Sequence, residues 1–169
     1  MKNVFCITAV LTWLLILFPA VQVSAGFSLP DDAYRMSELK NAIENAIEDD
    51  WPLAFVLSNE NTTCGLATNA TIAVFNVLSE DCIIVYVHAS DTEMNKLPKI
   101  VYKGLTSKES GRYVPVTVIV NAEMNRVIDI VPYGTGQAYI NRLRQAVEKL
   151  SIEPTFFESM KYKLMSLIE

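Results

Sequence analysis

The stretch NENTTCGLATNA at residues 59–70 places Cys64 between an apolar run that predicts a strand and a periodic segment that predicts a helix. Free N–H groups and the macrodipole at a helix start favour an anion, so a cysteine there has a stabilised thiolate. The thiolate is the nucleophilic form of cysteine and the form that attacks disulfides. Cys64 is therefore the candidate catalytic nucleophile. The alternative is a small apolar side chain that fills space at the helix start.

The second cysteine of the predicted mature chain, Cys82, begins another short apolar run. The predicted helix Leu66–Leu78 would hold the two sulfurs about 20 Å apart, whereas a disulfide joins Cα atoms about 4.4–6.8 Å apart. We therefore expect both thiols to be free, with Cys82 in the core. His88 is the only histidine, and Glu60 is the acid nearest to Cys64 in sequence. Either could move a proton for Cys64, but a surface role is favoured for both.

The sequence contains no P-loop, no G-x-G-x-x-G, no G-x-S-x-G and no run with metal-ligand spacing. We therefore expect neither a cofactor nor a metal. The formal charge of the chain is −5, and no Lys/Arg-rich run is present. Binding of a phosphate backbone needs clustered basic residues, so a nucleic-acid partner is not expected.

Hydrophobic periodicity predicts the elements that would position Cys64. The first two strands enclose a helix, which requires parallel pairing through a right-handed crossover, and the last two strands form a hairpin. This order predicts an α/β domain with helices on both faces of a mixed four-stranded sheet. The predicted helices are Met36–Ile47, Leu66–Leu78, a short one around Leu97–Leu105, one marked by Ile140, Leu143, Val147 and Leu150, and a last one after Pro154. The predicted strands are Pro52–Ser58, Cys82–Val87, Val116–Val120 and Arg126–Val131. The candidate helix caps are Ser37, Thr62 or Thr63, and Thr135.

Residues 1–25 have the pattern of a secretory signal peptide: Lys2, a long apolar run, and Val23-Ser24-Ala25 as a small-residue cleavage site. The alternative is a retained membrane anchor. Cleavage would export the protein to the periplasm or the extracellular space, with no membrane association afterwards. The 169 residues suffice for one domain, which we place at 36–150, after a leader at 26–35 and before a helical extension at 151–169.

Two sequence motifs resemble the thioredoxin-like superfamily. Cys64-Gly65-Leu66-Ala67 is similar to the family's Cys-Gly-Pro-Cys, with Leu for Pro and Ala for the second Cys. Arg112-Tyr113-Val114-Pro115, directly before the predicted strand Val116–Val120, is similar to the family's cis-proline segment. The resemblance covers about Met36–Leu150 and implies a three-layer thioredoxin-like fold, to which the predicted C-terminal helix is an addition.

The resemblance also implies a site. Cys64 would be its nucleophile, and Thr63, Gly65, Val114 and a cis Pro115 would hold an extended protein or peptide partner by strand-like hydrogen bonds. The sequence leaves the oligomeric state open.

Three departures from the family pattern bear on the activity. Ala67 replaces the thiol that would resolve a mixed disulfide, Thr63 replaces an aromatic residue, and Ser58 lies near the place of the family's buried acid. One hypothesis is therefore an exported protein that performs monothiol chemistry on protein substrates. The second is a redox-inactive thioredoxin-fold module that binds protein. A third is an α/β domain of another family with the same order of elements.

Overall fold

The computed structural model describes residues 26–152, which form one five-stranded sheet with helices on both faces. In chain order the elements are β1 (Tyr34–Arg35), a 3-10 helix (Met36–Glu38), α1 (Leu39–Asp49), β2 (Leu53–Ser58), α2 (Gly65–Leu78), β3 (Ile83–His88), α3 (Asp91–Met94), α4 (Lys99–Leu105), β4 (Val116–Val120), β5 (Val127–Val131) and α5 (Gly136–Ile152).

The strands lie in the order β1-β3-β2-β4-β5. β3 is parallel to both β1 and β2, while β4 is antiparallel to β2 and to β5. The predicted parallel crossover through α2 and the predicted closing hairpin are therefore confirmed. Together with the helices on both faces, this strand order confirms the α/β class and makes the fold thioredoxin-like.

The central strands are buried on both faces, so their sequences are nearly continuous apolar runs rather than alternating ones. Ala54, Val56 and Ile84 face a core formed with α2 and α5, whereas Leu53, Phe55 and Val85 face a core formed with α1 and α4. The sheet thus forms the middle of three layers. Successive residues of a strand point to opposite faces, which is why neighbouring residues of β2 belong to different cores.

The predicted sheet of four strands is corrected to five. Tyr34 and Arg35, within the segment predicted as a leader, form β1 and pair with Val85 and Tyr86 of β3. Phe27 of the same segment packs edge-on against Tyr86, with ring centroids 5.9 Å apart. A two-residue strand next to polar residues leaves no periodic pattern in the sequence, so only the tertiary pairing reveals it.

The predicted first helix begins differently from the expectation. Met36–Glu38 is a 3-10 turn, and the α-helix runs from Leu39 to Asp49. Ser37 lies inside that turn and does not cap the helix; the Glu38 carboxylate instead accepts the Arg35 backbone N–H at 3.0 Å. α5 begins directly after Thr135, the predicted cap position.

No helix in residues 26–152 is both long and apolar enough to cross a membrane. The predicted signal peptide at 1–25 and the predicted helix after Pro154 lie outside the described residues.

Candidate functional site

Cys64 is the N-cap residue of α2, with an extended backbone (φ −83°, ψ 102°). Its carbonyl oxygen accepts the Thr68 N–H at 3.0 Å, while its side chain makes no capping hydrogen bond. The residue is exposed. The prediction that Thr62 or Thr63 caps this helix is wrong, because the helix starts at Gly65. Thr62 has another role: its hydroxyl oxygen accepts the Cys64 N–H at 3.2 Å.

The polar run before Cys64 builds the loop that carries it. The Asn59 carbonyl oxygen accepts the Thr62 N–H at 3.1 Å, and the Asn59 side-chain oxygen accepts the Asn61 N–H at 2.9 Å. Asn and Thr side chains are suited to such local bonds with nearby backbone groups. These bonds turn the chain between the end of β2 and the start of α2, and they explain why this segment is polar.

A buried tyrosine fixes the first residues of that loop. The Tyr86 hydroxyl accepts the Glu60 N–H at 3.0 Å and donates to the Ser58 carbonyl at 3.3 Å. Arg35 binds the Glu60 carboxylate, with the shorter contact at 3.1 Å, and lies 5.8 Å from the centre of the Tyr86 ring. Burial raises the pKa of Tyr86 to about 12, and the Glu60 carboxylate adds to that rise. The hydroxyl therefore remains a neutral donor over the physiological range.

Sequence analysis missed this Arg35–Glu60–Tyr86 cluster. The available signal was a tyrosine inside an otherwise apolar strand, since a buried tyrosine hydroxyl usually has a hydrogen-bond partner. The sequence did not identify its partners, because Glu60 and Ser58 lie 26 and 28 positions from Tyr86, and it did not identify Arg35, which belongs to the unpredicted β1.

Two buried hydroxyls join the end of β2 to the first turns of α2. Ser58 is fully buried, and its hydroxyl lies 2.7 Å from the hydroxyl of Thr71. Thr71 donates its one hydroxyl hydrogen to the Ala67 carbonyl at 2.9 Å, so Ser58 must be the donor to Thr71. Ala67, the residue in place of the family's second cysteine, is itself buried. This chain of hydroxyls ends on a carbonyl and contains no group that ionises near neutral pH.

The predicted cis-proline segment lies at the same edge of the sheet as the loop. The Val114–Pro115 peptide bond is cis, as predicted. Leu57 of β2 pairs with Val116 of β4, so the end of β2, from which the chain continues to Cys64, lies beside the start of β4. The structure thus brings the two motifs to one edge.

The surface at the start of α2 is open. Thr63 and Gly65, the predicted partner-binding residues beside Cys64, are both exposed, and a side chain added at Gly65 would meet no atom within 4 Å. Two apolar side chains in the same motifs are also exposed, Leu66 at 61% and Tyr113 at 72% of their full area. Val114 is half-buried and Pro115 is buried. The roles of these residues in binding remain predictions.

Of the remaining candidates, Cys82 lies just before the start of β3, whereas His88 lies at the end of β3, where it pairs with Ser58 at the end of β2. Cys82 and Cys64 are both free, which confirms the prediction that they do not pair. Cys82 is only 2% exposed, and burial raises the pKa of its thiol. His88 ends β3, where its backbone N–H donates to the Glu93 carboxylate at 2.7 Å and its ring packs against Tyr86.

No protein-family model and no curated protein sequence matches the chain. Among solved structures it is similar to a DsbH oxidoreductase (14% identity, TM-score 0.46, covering 78% of this chain and 92% of the other). It is also similar to the germline-specific thioredoxin Deadhead of Drosophila melanogaster (16% identity, TM-score 0.43, covering 69% and 98%). A third similar structure is a disulphide isomerase of Xylella fastidiosa Temecula1 (12% identity, TM-score 0.43, covering 74% and 95%). The thioredoxin-like fold itself is defined by the strand order and register given above.

Proposed function

We propose that this protein is an exported thioredoxin-like protein with a one-cysteine active site, and that it exchanges disulfides of protein substrates through Cys64. The observation that carries the proposal is the difference in exposure between the two described thiols. Cys64 is exposed at a helix start and its side chain is not used as a cap, whereas Cys82 is buried. A nucleophilic thiol must be reachable by its substrate, and of the two described cysteines only Cys64 is exposed.

The reaction consists of two exchanges. The Cys64 thiolate attacks one sulfur of a substrate disulfide; the substrate S–S bond breaks, the other substrate sulfur leaves as a thiolate, and a mixed disulfide joins Cys64 to the substrate. A free external thiolate then attacks the substrate sulfur of this mixed disulfide. Cys64 leaves as a thiolate, and the new disulfide joins the substrate to the external thiol. Electrons balance without a further oxidant.

Two features favour an external resolving thiol. Ala67 lies one helical turn after Cys64, where a second thiol would have to attack, and it is buried. Beneath it, Ser58 and Thr71 provide only hydroxyls, which cannot take a proton from a buried thiol at neutral pH. The mixed disulfide is therefore expected to persist until a free thiol arrives.

Thiol alkylation and turnover test the proposal. Iodoacetamide should alkylate Cys64 and not Cys82 in the folded protein, and a peptide–glutathione mixed disulfide should be reduced in the presence of glutathione. Cys64→Ala should abolish the turnover. Cys82→Ala is the matched control, since it removes the buried sulfur and should leave turnover unchanged. Equal rates for the wild type and Cys64→Ala would refute the proposed chemistry.

A gain-of-function variant tests the site geometry separately. Ala67→Cys would place a second thiol one turn from Cys64, and the variant should reduce insulin faster than the wild type, at a rate that rises with pH because no neighbouring base deprotonates the new thiol. Failure of a folded Ala67→Cys protein to do so would count against the assignment of Cys64–Ala67 as the active-site motif.

The second candidate function is a protein-binding module without redox activity, and the exposed Leu66 and Tyr113 favour it. Large exposed apolar side chains on one surface are typical of interaction sites. Two variants test this second function: Cys64→Ala should retain full binding of a partner, and Leu66→Ser with Tyr113→Ser should lose it.

Export is part of the first proposal, because structural and substrate disulfides persist outside the reducing cytosol. Sequencing of the secreted protein should find Gly26 at its N-terminus. Retention of residues 1–25 on membranes would support the anchor instead.

A further inference from the structure

A cleft of about 460 Å³ lies at the edge of the sheet opposite to the Cys64 loop. The parallel strands β2 and β3 begin at this edge, and β2 ends at the edge from which the chain continues to Cys64. The walls of the cleft come from β1 and the residues before it, the second half of α1, Trp51, and the segment that joins the end of α2 to the start of β3. The wall on the side of β1 and α1 is polar and aromatic, with Asp32, Tyr34, Asn45, Asp49 and Trp51.

Two aromatic rings line the cleft. Trp51 is 41% exposed, and its backbone N–H is fixed by the Ala46 carbonyl at 2.9 Å. The Tyr34 hydroxyl accepts the Asn45 side-chain N–H at 2.6 Å, which holds the ring while leaving the hydroxyl hydrogen able to bond to a ligand. Aromatic faces attract cations within about 6 Å of the ring centre.

The charge around the cleft has one sign. Asp32 and Asp49 line it and are exposed, and none of the described residues lining it is Lys or Arg. Asp49 is also the last residue of α1, so the negative end of the helix macrodipole lies in the same place. Outside the lining, the neighbouring segments add exposed Asp31, Glu48 and Glu80. Such a field concentrates cations near the cleft.

We propose that this cleft binds an organic cation, namely the ammonium or guanidinium group of a basic side chain or of a small amine. Aromatic walls beside two carboxylates suit such a group, and the volume lies within the range of about 300–1,000 Å³ typical of small-ligand sites. A metal ion does not fit: in residues 26–152 no three His, Cys, Asp or Glu side chains lie close enough to hold one. The site is separate from Cys64 and does not depend on the function proposed for it.

The test follows the indole N–H signal of Trp51 by NMR in the full chain, assigned by its disappearance in Trp51→Phe. Titration with Nα-acetyl-lysine methylamide should shift this signal and saturate in the millimolar range. The norleucine analogue, which keeps the aliphatic stem without the charge, should shift it at least tenfold less at equal concentration. 1,4-Diaminobutane and Nα-acetyl-arginine methylamide are run in parallel. All three cations should bind. Tighter binding of 1,4-diaminobutane would indicate a free amine as the natural ligand, and tighter binding of the lysine or arginine derivative would indicate a polypeptide side chain.

Asp32→Asn with Asp49→Asn should weaken lysine binding at least tenfold, and raising the salt concentration should weaken it in the wild type. Glu148→Gln is the matched control, because Glu148 is exposed on α5 and its removal lowers the net negative charge without touching the cleft. Trp51→Leu should also reduce binding. Because this variant has no Trp51 indole signal, its titration is followed by the Asn45 side-chain amide signals. Thermal melting confirms that each variant is folded. Equal binding of the norleucine analogue, an effect of Glu148→Gln as large as that of the aspartate variants, or no saturable shift with any cation would overturn the proposal.

Discussion

Replacing Asp129 by Asn should remove the main electrostatic contact between β5 and α5. The carboxylate is 8% exposed and accepts two hydrogen bonds from the Arg142 guanidinium, at 2.7 and 2.8 Å. It also lies 2.9 Å from the Lys149 ammonium and accepts the Ile130 N–H at 3.0 Å. Asparagine keeps the shape and one acceptor but loses the charge, and it turns an amide N–H₂ toward two cations.

The size of the effect follows from these contacts. Breaking a fully buried ion pair costs about 3–5 kcal/mol, and a hydrogen bond to a charged group contributes about 1.5–3 kcal/mol. Arg142 and Lys149 are 30% and 49% exposed, so water can solvate them after the substitution. We therefore expect a loss of about 2–3 kcal/mol in the free energy of unfolding, or roughly 10 °C in Tm for a domain of this size.

The pH dependence provides an independent measurement. Burial by itself would raise the pKa of Asp129, but the hydrogen bonds and charges of Arg142 and Lys149 lower it overall. The contribution of a carboxyl whose pKa is lowered on folding is complete above its unfolded pKa of about 3.9 and is lost as the pH falls through the folded pKa. The difference in the free energy of unfolding between the wild type and Asp129→Asn should therefore be constant around neutral pH and should shrink below about pH 4.

The assay is urea unfolding followed by circular dichroism at several pH values. A double-mutant cycle with Arg142→Met isolates the pair from other effects of each substitution, and Glu123→Gln in the exposed β4–β5 turn is the control for net charge. A loss of less than about 0.5 kcal/mol in the free energy of unfolding at neutral pH, which is no more than an ordinary surface substitution causes, would refute the reasoning.

Three further substitutions test other contacts. Thr117→Val should stabilise the protein by about 1 kcal/mol in urea unfolding, because its fully buried hydroxyl has no hydrogen-bond partner among the described residues; destabilisation would indicate a missed partner. Gly104→Ala should destabilise it by about 1–2 kcal/mol in the same assay, because the added Cβ would lie 2.8 Å from a Val118 methyl carbon; an unchanged midpoint would show that α4 shifts freely. Tyr86→Phe should speed amide exchange at Glu60 about tenfold, since it removes the hydroxyl that accepts that N–H; unchanged exchange would mean that the loop is held without this bond.

Local sequence patterns predicted most of the elements. β4 was predicted at Val116–Val120, which are its observed bounds, and α2 starts one residue before the predicted Leu66. α2 is a long periodic segment and β4 is a continuous apolar run bounded by turn residues, and such strong local patterns are the ones that predict secondary structure best. The parallel crossover followed from chain connectivity, since two strands joined by a helix in one sheet pair in parallel.

The site was predictable as two motifs but not as a surrounding structure. Cys64 at a helix start and the cis bond before Pro115 came from the sequence and the resemblance it carries, and both are observed. The hydroxyl pair Ser58–Thr71 and the bond from Glu60 to Tyr86 join residues 13 and 26 positions apart. No local pattern specifies such pairs, because hydrogen-bond partners across elements depend on how the strands and helices pack.

The sequence by itself determined where strands and helices form, which faces they bury and where the thiol lies along the chain, because these properties depend on periodicity and on the chemistry of neighbouring residues. Only the tertiary structure decided that Tyr34 and Arg35 become a fifth strand, that a tyrosine anchors the cysteine loop, and that an acidic, aromatic cleft opens at the other edge of the sheet. Each of these arises where segments distant in sequence meet, and the energy of such contacts exists only once the sheet has formed.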